Sequence, residues 1–198
     1  LAQALYERHK VLTYPRTDSR ALPEDYPATV RQTLKSLEDS DAHREFAATI
    51  LKKDWVNPKN KRVFDNSKVS DHFAIIPTLQ LPKNLSEAEQ KIYDLVVRRF
   101  LAIFYPAAEY RVTTRITTVG EHKFRTEGRV LVNPGWLAVY GKDAAVDGAN
   151  PNLVAITDGE SVLTREALVK ALQTRPPPRY SEATLLSAME GAGKALDD

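Results

Sequence analysis

A chain of 198 residues, 42% hydrophobic and 27% charged, has a globular composition and supports one large domain or two smaller ones. Its 28 basic and 26 acidic residues leave a formal charge of +2, so any nucleic-acid site must be a local patch rather than a property of the whole chain. The lack of cysteine excludes a disulfide scaffold and a thiolate-held metal, and no apolar run approaches the ~20 residues needed to span a bilayer.

The N-terminus lacks the layout of a signal peptide, so the expected setting is the cytoplasm, with no membrane partner. In chain order, Leu1, Leu5 and Tyr6 beside Glu7 and Arg8 read as a helix already under way, without an initiating Met. Both ends are therefore expected to be cut from something longer. Val30, Leu34 and Leu37 follow Asp25-Tyr26-Pro27 at helical spacing, a helix entry with proline in its first turn. Phe46 and Ile50 mark a short helix over residues 41–51. Ser86-Glu87-Ala88-Glu89 has capping-box spacing and opens the longest predicted helix. Its apolar stripe is read as Ile92, Val96, Phe100 and Phe104, and Pro106 ends it.

After residue 108 the period becomes two. Tyr110, Val112, Thr114, Ile116 and Thr118 alternate with Arg111, Thr113, Arg115 and Thr117, the pattern of a strand with one wet face. Val119-Gly120 ends it, and Phe124 to Val132 is the predicted return strand. Asn133-Pro134-Gly135 is a turn leading into Trp136 to Tyr140, and residues 144–152 form a predicted loop. Strands around Val154 and Val162 are expected to flank a turn at Asp158-Gly159. Pro176-Pro177-Pro178 stiffens the chain, and Ser181 caps a last helix through Met189.

The stretch Thr13-Tyr14-Pro15-Arg16-Thr17-Asp18-Ser19-Arg20 carries the most chemistry. Proline disfavours the helical region for the residue before it, so Tyr14 is expected to be extended, with Arg16 projecting on the same side. A phenol titrates near 10 and is a weak nucleophile at neutral pH, whereas a neighbouring guanidinium favours the phenolate and can hold a phosphate oxygen. Asp18 and Ser19 are helix-entry residues, which predicts a short strand feeding a helix. On these residues alone, a buried Tyr beside a surface Arg is the commoner reading.

A second segment is Asp71-His72-Phe73-Ala74-Ile75-Ile76-Pro77-Thr78. A histidine in such surroundings is usually structural; the functional alternative is a group that donates to, or moves a proton at, a phosphodiester. Lys59, Lys61, Arg62 and Lys68 precede it, either a solvated face or a footprint of phosphate contacts.

Together these segments resemble the type IA DNA topoisomerases. Residues 13–20 are similar to the family's active-site signature, and the Tyr-Pro-Arg form is nearer to the topoisomerase III branch than to bacterial topoisomerase I, which usually has Met after the Tyr. Residues 71–78 resemble the family's His-x-Ala-Ile-x-Pro-Thr segment. Pro176-Pro177-Pro178-Arg179-Tyr180-Ser181-Glu182-Ala183-Thr184-Leu185-Leu186 resembles a third, where the chain re-enters the central DNA-binding domain.

The resemblance implies Tyr14 as nucleophile, Arg16 as its partner on the scissile phosphate, and His72 near that phosphate. It implies DNA contacts from Arg20, Lys68, Arg179 and Ser181. The expected fold is α+β and multidomain: a mostly helical, winged-helix-like tyrosine domain over residues 1–108, part of a β-rich arch over 109–173, and the start of the central domain over 174–198. The implied substrate is single-stranded DNA, cut through a transient 5′-phosphotyrosyl link without ATP by a monomer associated with the bacterial nucleoid. The family's acidic, magnesium-binding domain lies N-terminal to this stretch, and its Gly-x-Gly-x-Pro segment lies beyond the last helix. Mg²⁺ is therefore expected in the full-length enzyme, no metal ligands are assigned here, and the chain alone is expected not to cleave DNA. The alternatives are the topoisomerase half of topoisomerase I or reverse gyrase, a DNA-binding module of the same fold without chemistry, and a helical interaction domain with accidental motifs.

Overall fold

A computed structural model describes residues 1–141, 157–166 and 168–192. The loop predicted over 144–152 and the strand predicted at Val154 lie outside the described residues. The chain divides into two compact units, Leu1–Val154 and Ala155–Asp198.

The first unit is built on four helices: α1 (Ala2–Glu7), α2 (Pro27–Leu37), α3 (Arg44–Lys52) and α4 (Glu87–Ala102). Proline stands at the start of α2, where its missing N–H has no helical partner to lose. Val30, Leu34 and Leu37 point inward together and are fully buried. On α3, Ala47 and Ile50 face the same core. At the head of α4, the Ser86 Oγ accepts from the Glu89 N–H while the Glu89 carboxylate accepts from the Ser86 N–H, a complete capping box.

The buried stripe of α4 runs through Tyr93, Val97, Phe100 and Leu101, with Ile92 and Val96 only half-buried. Phe100 and Phe104 of the predicted stripe are buried, whereas in the first turns the stripe is rotated by one residue, because the wide apolar arc of this helix leaves the period ambiguous and packing selects which flank goes deepest. Phe64 and Phe104 fill the space between α4 and the loops, their ring centroids 6.5 Å apart. Each such side chain contributes roughly 1.5–3 kcal/mol by leaving water.

Two strands follow, β1 (Glu109–Val119) and β2 (His122–Asn133), paired antiparallel with Val119 opposite His122. Gly120 takes φ +60° as the first central residue of the two-residue turn, the arrangement of a type II′ hairpin. The prediction of one wet face needs correction. Val112 and Phe124, on opposite faces of this ribbon, are 60% and 57% exposed, so among the described residues neither face is covered at these positions. The chain then turns back in a short 3-10 helix, Gly135–Tyr140, which packs on α4 and buries Leu137 and Val139. Gly135 is required there: its φ is +48°, and a Cβ would lie 2.4 Å from the Ala107 carbonyl oxygen.

In the second unit the turn at Asp158-Gly159 is present, with Gly159 at φ +80°, but the segment around Val162 has no strand partner among the described residues and is not a strand. A strand needs a ladder, and β-branched residues alone do not supply one. The last helix, α5 (Glu182–Ala192), is entered from Ser181, whose Oγ accepts from the Thr184 N–H at 3.3 Å while its own N–H donates to the Thr184 Oγ1 at 2.8 Å. It runs past Met189 to Ala192.

Candidate active site

The two segments singled out by sequence lie side by side. The stretch after α1 and the stretch before α4 run antiparallel: the Thr13 N–H donates to the Ile76 carbonyl (3.0 Å), the Thr78 N–H to the Val11 carbonyl (3.0 Å), and the Ala74 N–H to the Ala21 carbonyl (2.9 Å). Leu12 bridges Pro77, whose ring removes a donor that this pairing does not use. The Thr13 hydroxyl knits the pair further, donating to the Ala74 carbonyl and accepting from the Ile76 N–H.

Further along, the side chains of residues 17–19 hold the loop over 68–72. The Thr17 Oγ1 donates to the His72 carbonyl (2.9 Å), the Ser19 Oγ to the Lys68 carbonyl (2.7 Å), and the Ser70 Oγ to the Asp18 carboxylate (3.1 Å). This corrects the prediction of a helix after Tyr14. Asp18 and Ser19 brace a neighbouring loop instead of capping, and the next helix does not begin until Pro27.

The outcome is a ring contact. Tyr14 and His72 have centroids 4.2 Å apart, tilted by 37°. Tyr6, from α1, meets Tyr14 edge-on at 5.4 Å. Phe73 anchors the histidine loop from behind by packing on Tyr26 at 4.8 Å. A polar cleft of about 220 Å³ opens beside the pair, lined by Arg16, Thr17, Asp18, Ser70, Asp71 and His72. The Arg16 side chain is exposed and makes no ion pair with a described residue. A second polar cleft of about 440 Å³ shares Asp18 and Ser70 with the first and adds Arg20 and Lys68. So Tyr14, Arg16 and His72 are brought together, and Arg20 and Lys68 adjoin them. Arg179 and Ser181 belong to the second unit, Arg179 exposed ahead of α5 and Ser181 at its cap.

The basic cluster is partly neutralised. The Lys61 ammonium pairs with Glu24 at 2.6 Å, which lowers the Glu24 pKa and raises that of Lys61. Lys68 pairs with Asp65 at 2.9 Å and donates to the Lys61 carbonyl. Hydrogen bonds from Ser67 first, then Lys68, hold the Asp65 carboxyl down at about 2. Among the described residues no group of three or more His, Asp or Glu side chains is arranged to hold a metal ion, and no helix is long and apolar enough to cross a membrane.

Sequence reasoning missed Tyr6, which it treated only as part of a helix. Its signal was faint: an aromatic residue one helical turn before Lys10, on the segment that leads into Tyr14.

The helix that carries Tyr6 is itself held by a buried carboxylate. Glu89 is 4% exposed and accepts from Arg8 at 2.6 Å, with the His9 Nε2 at 3.3 Å. Hydrogen bonds from the Ser86 N–H and hydroxyl, together with the Arg8 charge, bring its pKa from 4.5 to about 2. A carboxyl depressed on folding contributes stability that is complete above its unfolded pKa and lost as pH falls through the folded value. Glu89→Gln is therefore expected to lower the melting temperature at pH 7, with the gap to the native chain closing between about pH 4.5 and 2. His43, buried and with its pKa lowered by desolvation, loses stability below about 6.5 in both chains and cancels in the comparison. Thermal melts at pH 7 and pH 2 test this, and a gap that does not change with pH would refute it.

Tyr14 and His72 thus lie in ring contact beside a polar cleft that Arg16 lines. The model of the family described as DNA topoisomerase matches residues 1–193, and the chain belongs to that family. It is 42% identical to DNA topoisomerase 3 of Bacillus cereus (strain ATCC 14579) over 204 aligned positions, covering 100% of this chain and 28% of that protein. It is 41% identical to DNA topoisomerase 3 of Bacillus anthracis over the same span, and 39% identical to that of Bacillus subtilis (strain 168) over 194, covering 95% of this chain. The likeness is thus to the topoisomerase III branch of the type IA enzymes, and the chain spans little more than a quarter of the length of these relatives.

Proposed function

We propose that this chain carries the nucleophile of a type IA DNA topoisomerase and acts within a full-length enzyme of its relatives' size. The Tyr14 oxygen attacks a phosphorus of single-stranded DNA, the bond from phosphorus to the 3′-oxygen breaks, and the products are a 5′-phosphotyrosyl ester and a free 3′-hydroxyl. Another strand passes through the gap, and the hydroxyl then attacks the ester and releases Tyr14. One ester is exchanged for another, so relaxation or decatenation needs no ATP.

In this reading Arg16 holds a non-bridging phosphate oxygen, where its fixed charge offsets the charge that builds in the transition state. His72, in contact with the attacking ring, donates to the phosphate or moves a proton at it. Arg20 and Lys68 contact the next phosphates along the strand, and Arg179 and Ser181 contact single-stranded DNA from the second unit. The described residues do not compose a magnesium site, and Mg²⁺ belongs to parts of the full-length enzyme outside this chain. The helical part over 1–108 would be the tyrosine domain, winged-helix-like in its DNA contacts, with 109–173 part of a hinged arch and 174–198 entering the central domain. The enzyme would be a cytoplasmic, nucleoid-associated monomer.

The observation that carries this reading is the Tyr14–His72 ring contact at 4.2 Å beside the cleft that Arg16 lines. The test is covalent trapping. A 3′-labelled single-stranded oligonucleotide incubated with the full-length enzyme and Mg²⁺, then run under denaturing conditions, should leave label on the peptide that contains Tyr14. The 198-residue chain alone should bind the same oligonucleotide with a steep salt dependence, as phosphate contacts dictate, and acquire no label. Label on the isolated chain that vanishes in Tyr14→Phe would show it to be self-sufficient. Absence of label from the full-length enzyme would leave only a DNA-binding module.

A further inference from the structure

Tyr14 lines one cleft, and its ring partner His72 lines another of different chemistry. The one that contains Arg16 and His72 is lined by polar and charged side chains and suits a phosphate. The other, of about 680 Å³, is lined by the rings of Tyr6, Tyr14 and Phe73 with Leu12 behind them, and by Glu7 and Lys10. Its volume falls within the range of about 300–1,000 Å³ typical of small-ligand clefts. Neither the exchange of esters nor the phosphate contacts proposed above makes use of it.

We propose that this second cleft is a nucleobase subsite, and that Tyr6 is the ring on which a base adjoining the phosphate at Tyr14 stacks. The inference rests on the reading of Tyr14 as the residue that engages single-stranded DNA. A strand with one phosphate in the polar cleft must place a neighbouring base within one nucleotide of Tyr14. This cleft is lined by aromatic rings and includes Tyr14 itself. Tyr6 is 37% exposed, so part of its surface is open to a ligand, while its edge-on contact with Tyr14 fixes the ring. Such a surface accepts any base, because every base has a π-face. Lys10 stands where a backbone phosphate beside that base would pass. It is an exposed, non-glycine residue at φ +56°, held there by a 2.7 Å hydrogen bond from the Thr78 hydroxyl to its carbonyl.

The experiment compares two fluorescein-labelled 12-mers on the 198-residue chain by anisotropy at fixed, low salt: oligo-dT, and a strand of the same charge whose residues are all abasic. Tyr6→Ala should weaken dT binding about 5- to 150-fold, the worth of one stacked base, and leave the abasic strand unchanged. Tyr6→Phe keeps the ring and should bind dT within about twofold of the native chain. Equal weakening of both strands by Tyr6→Ala would assign Tyr6 a structural or phosphate-directed role and overturn the subsite. So would unchanged binding of both, or a loss in Tyr6→Phe as large as in Tyr6→Ala. If the native chain binds neither strand, the reading of the Tyr14 site falls and the subsite with it. If it binds both without dependence on Tyr6, the subsite alone falls.

Discussion

Tyr14→Phe in the full-length enzyme should abolish strand cleavage and relaxation while leaving single-strand binding within about twofold. Phenylalanine keeps the ring, and with it the 4.2 Å contact to His72 and the 5.4 Å edge contact to Tyr6. Only the oxygen goes. Because the covalent intermediate has no other nucleophile to form on, the loss should be complete rather than graded. The phosphate contacts proposed for Arg16, Arg20 and Lys68 do not involve the phenol oxygen, so affinity for a single-stranded oligonucleotide should persist with the same salt slope. A relaxation assay on supercoiled plasmid, run beside an anisotropy titration, separates the two effects. Relaxation above even a few per cent of the native rate would mean that Tyr14 is not the nucleophile, and a collapse of binding would mean that the hydroxyl serves structure instead.

How much of this was legible beforehand depends on the range of the interaction. Local rules worked: the capping box at Ser86 and Glu89, proline at the head of α2, and the buried trio Val30, Leu34 and Leu37 all act within a turn or two of chain. The extended path after α1 also follows from proline after Tyr14. Long-range partners were not legible. Nothing local to Asp18 and Ser19 shows that a loop some fifty residues later will take their hydrogen bonds, so two good capping residues were read as a cap. The hairpin illustrates the same limit from the other side. Alternation in Tyr110 to Thr118 reports that a strand forms, but which face is covered depends on what packs there, and among the described residues both faces stay exposed at Val112 and Phe124. The grouping of Tyr14, Arg16 and His72 came from the family resemblance, while the contacts that build it were hidden. The antiparallel pairing of Leu12 with Pro77 and the hydrogen bonds from residues 17–19 to the loop over 68–72 make Tyr14 and His72 neighbours, and neither was readable from local sequence. Tyr6 escaped because an aromatic residue on a helix is ordinarily core.

Arg16→Ala should lower the rate of strand cleavage by about 10²- to 10³-fold, the usual effect of removing one preorganised group that stabilises charge in the transition state. Arg16 sits in the polar cleft with His72, unpaired by any described carboxylate although Asp18 and Asp71 line the same walls, so its charge is directed to whatever occupies the cleft. Arg16→Lys should recover only part of the rate. An ammonium restores the charge but not the planar fork that grips two phosphate oxygens at once. The ground-state consequence is smaller, since one phosphate contact among several changes the salt slope by about one unit. Single-turnover cleavage of a 3′-labelled oligonucleotide at saturating enzyme isolates the chemical step from binding. Two results would remove Arg16 from the transition state: a rate loss below about tenfold, or a loss that saturating enzyme restores. The guanidinium would then be one phosphate contact among the others, and charge stabilisation at the reacting phosphorus would have to come from elsewhere in the enzyme.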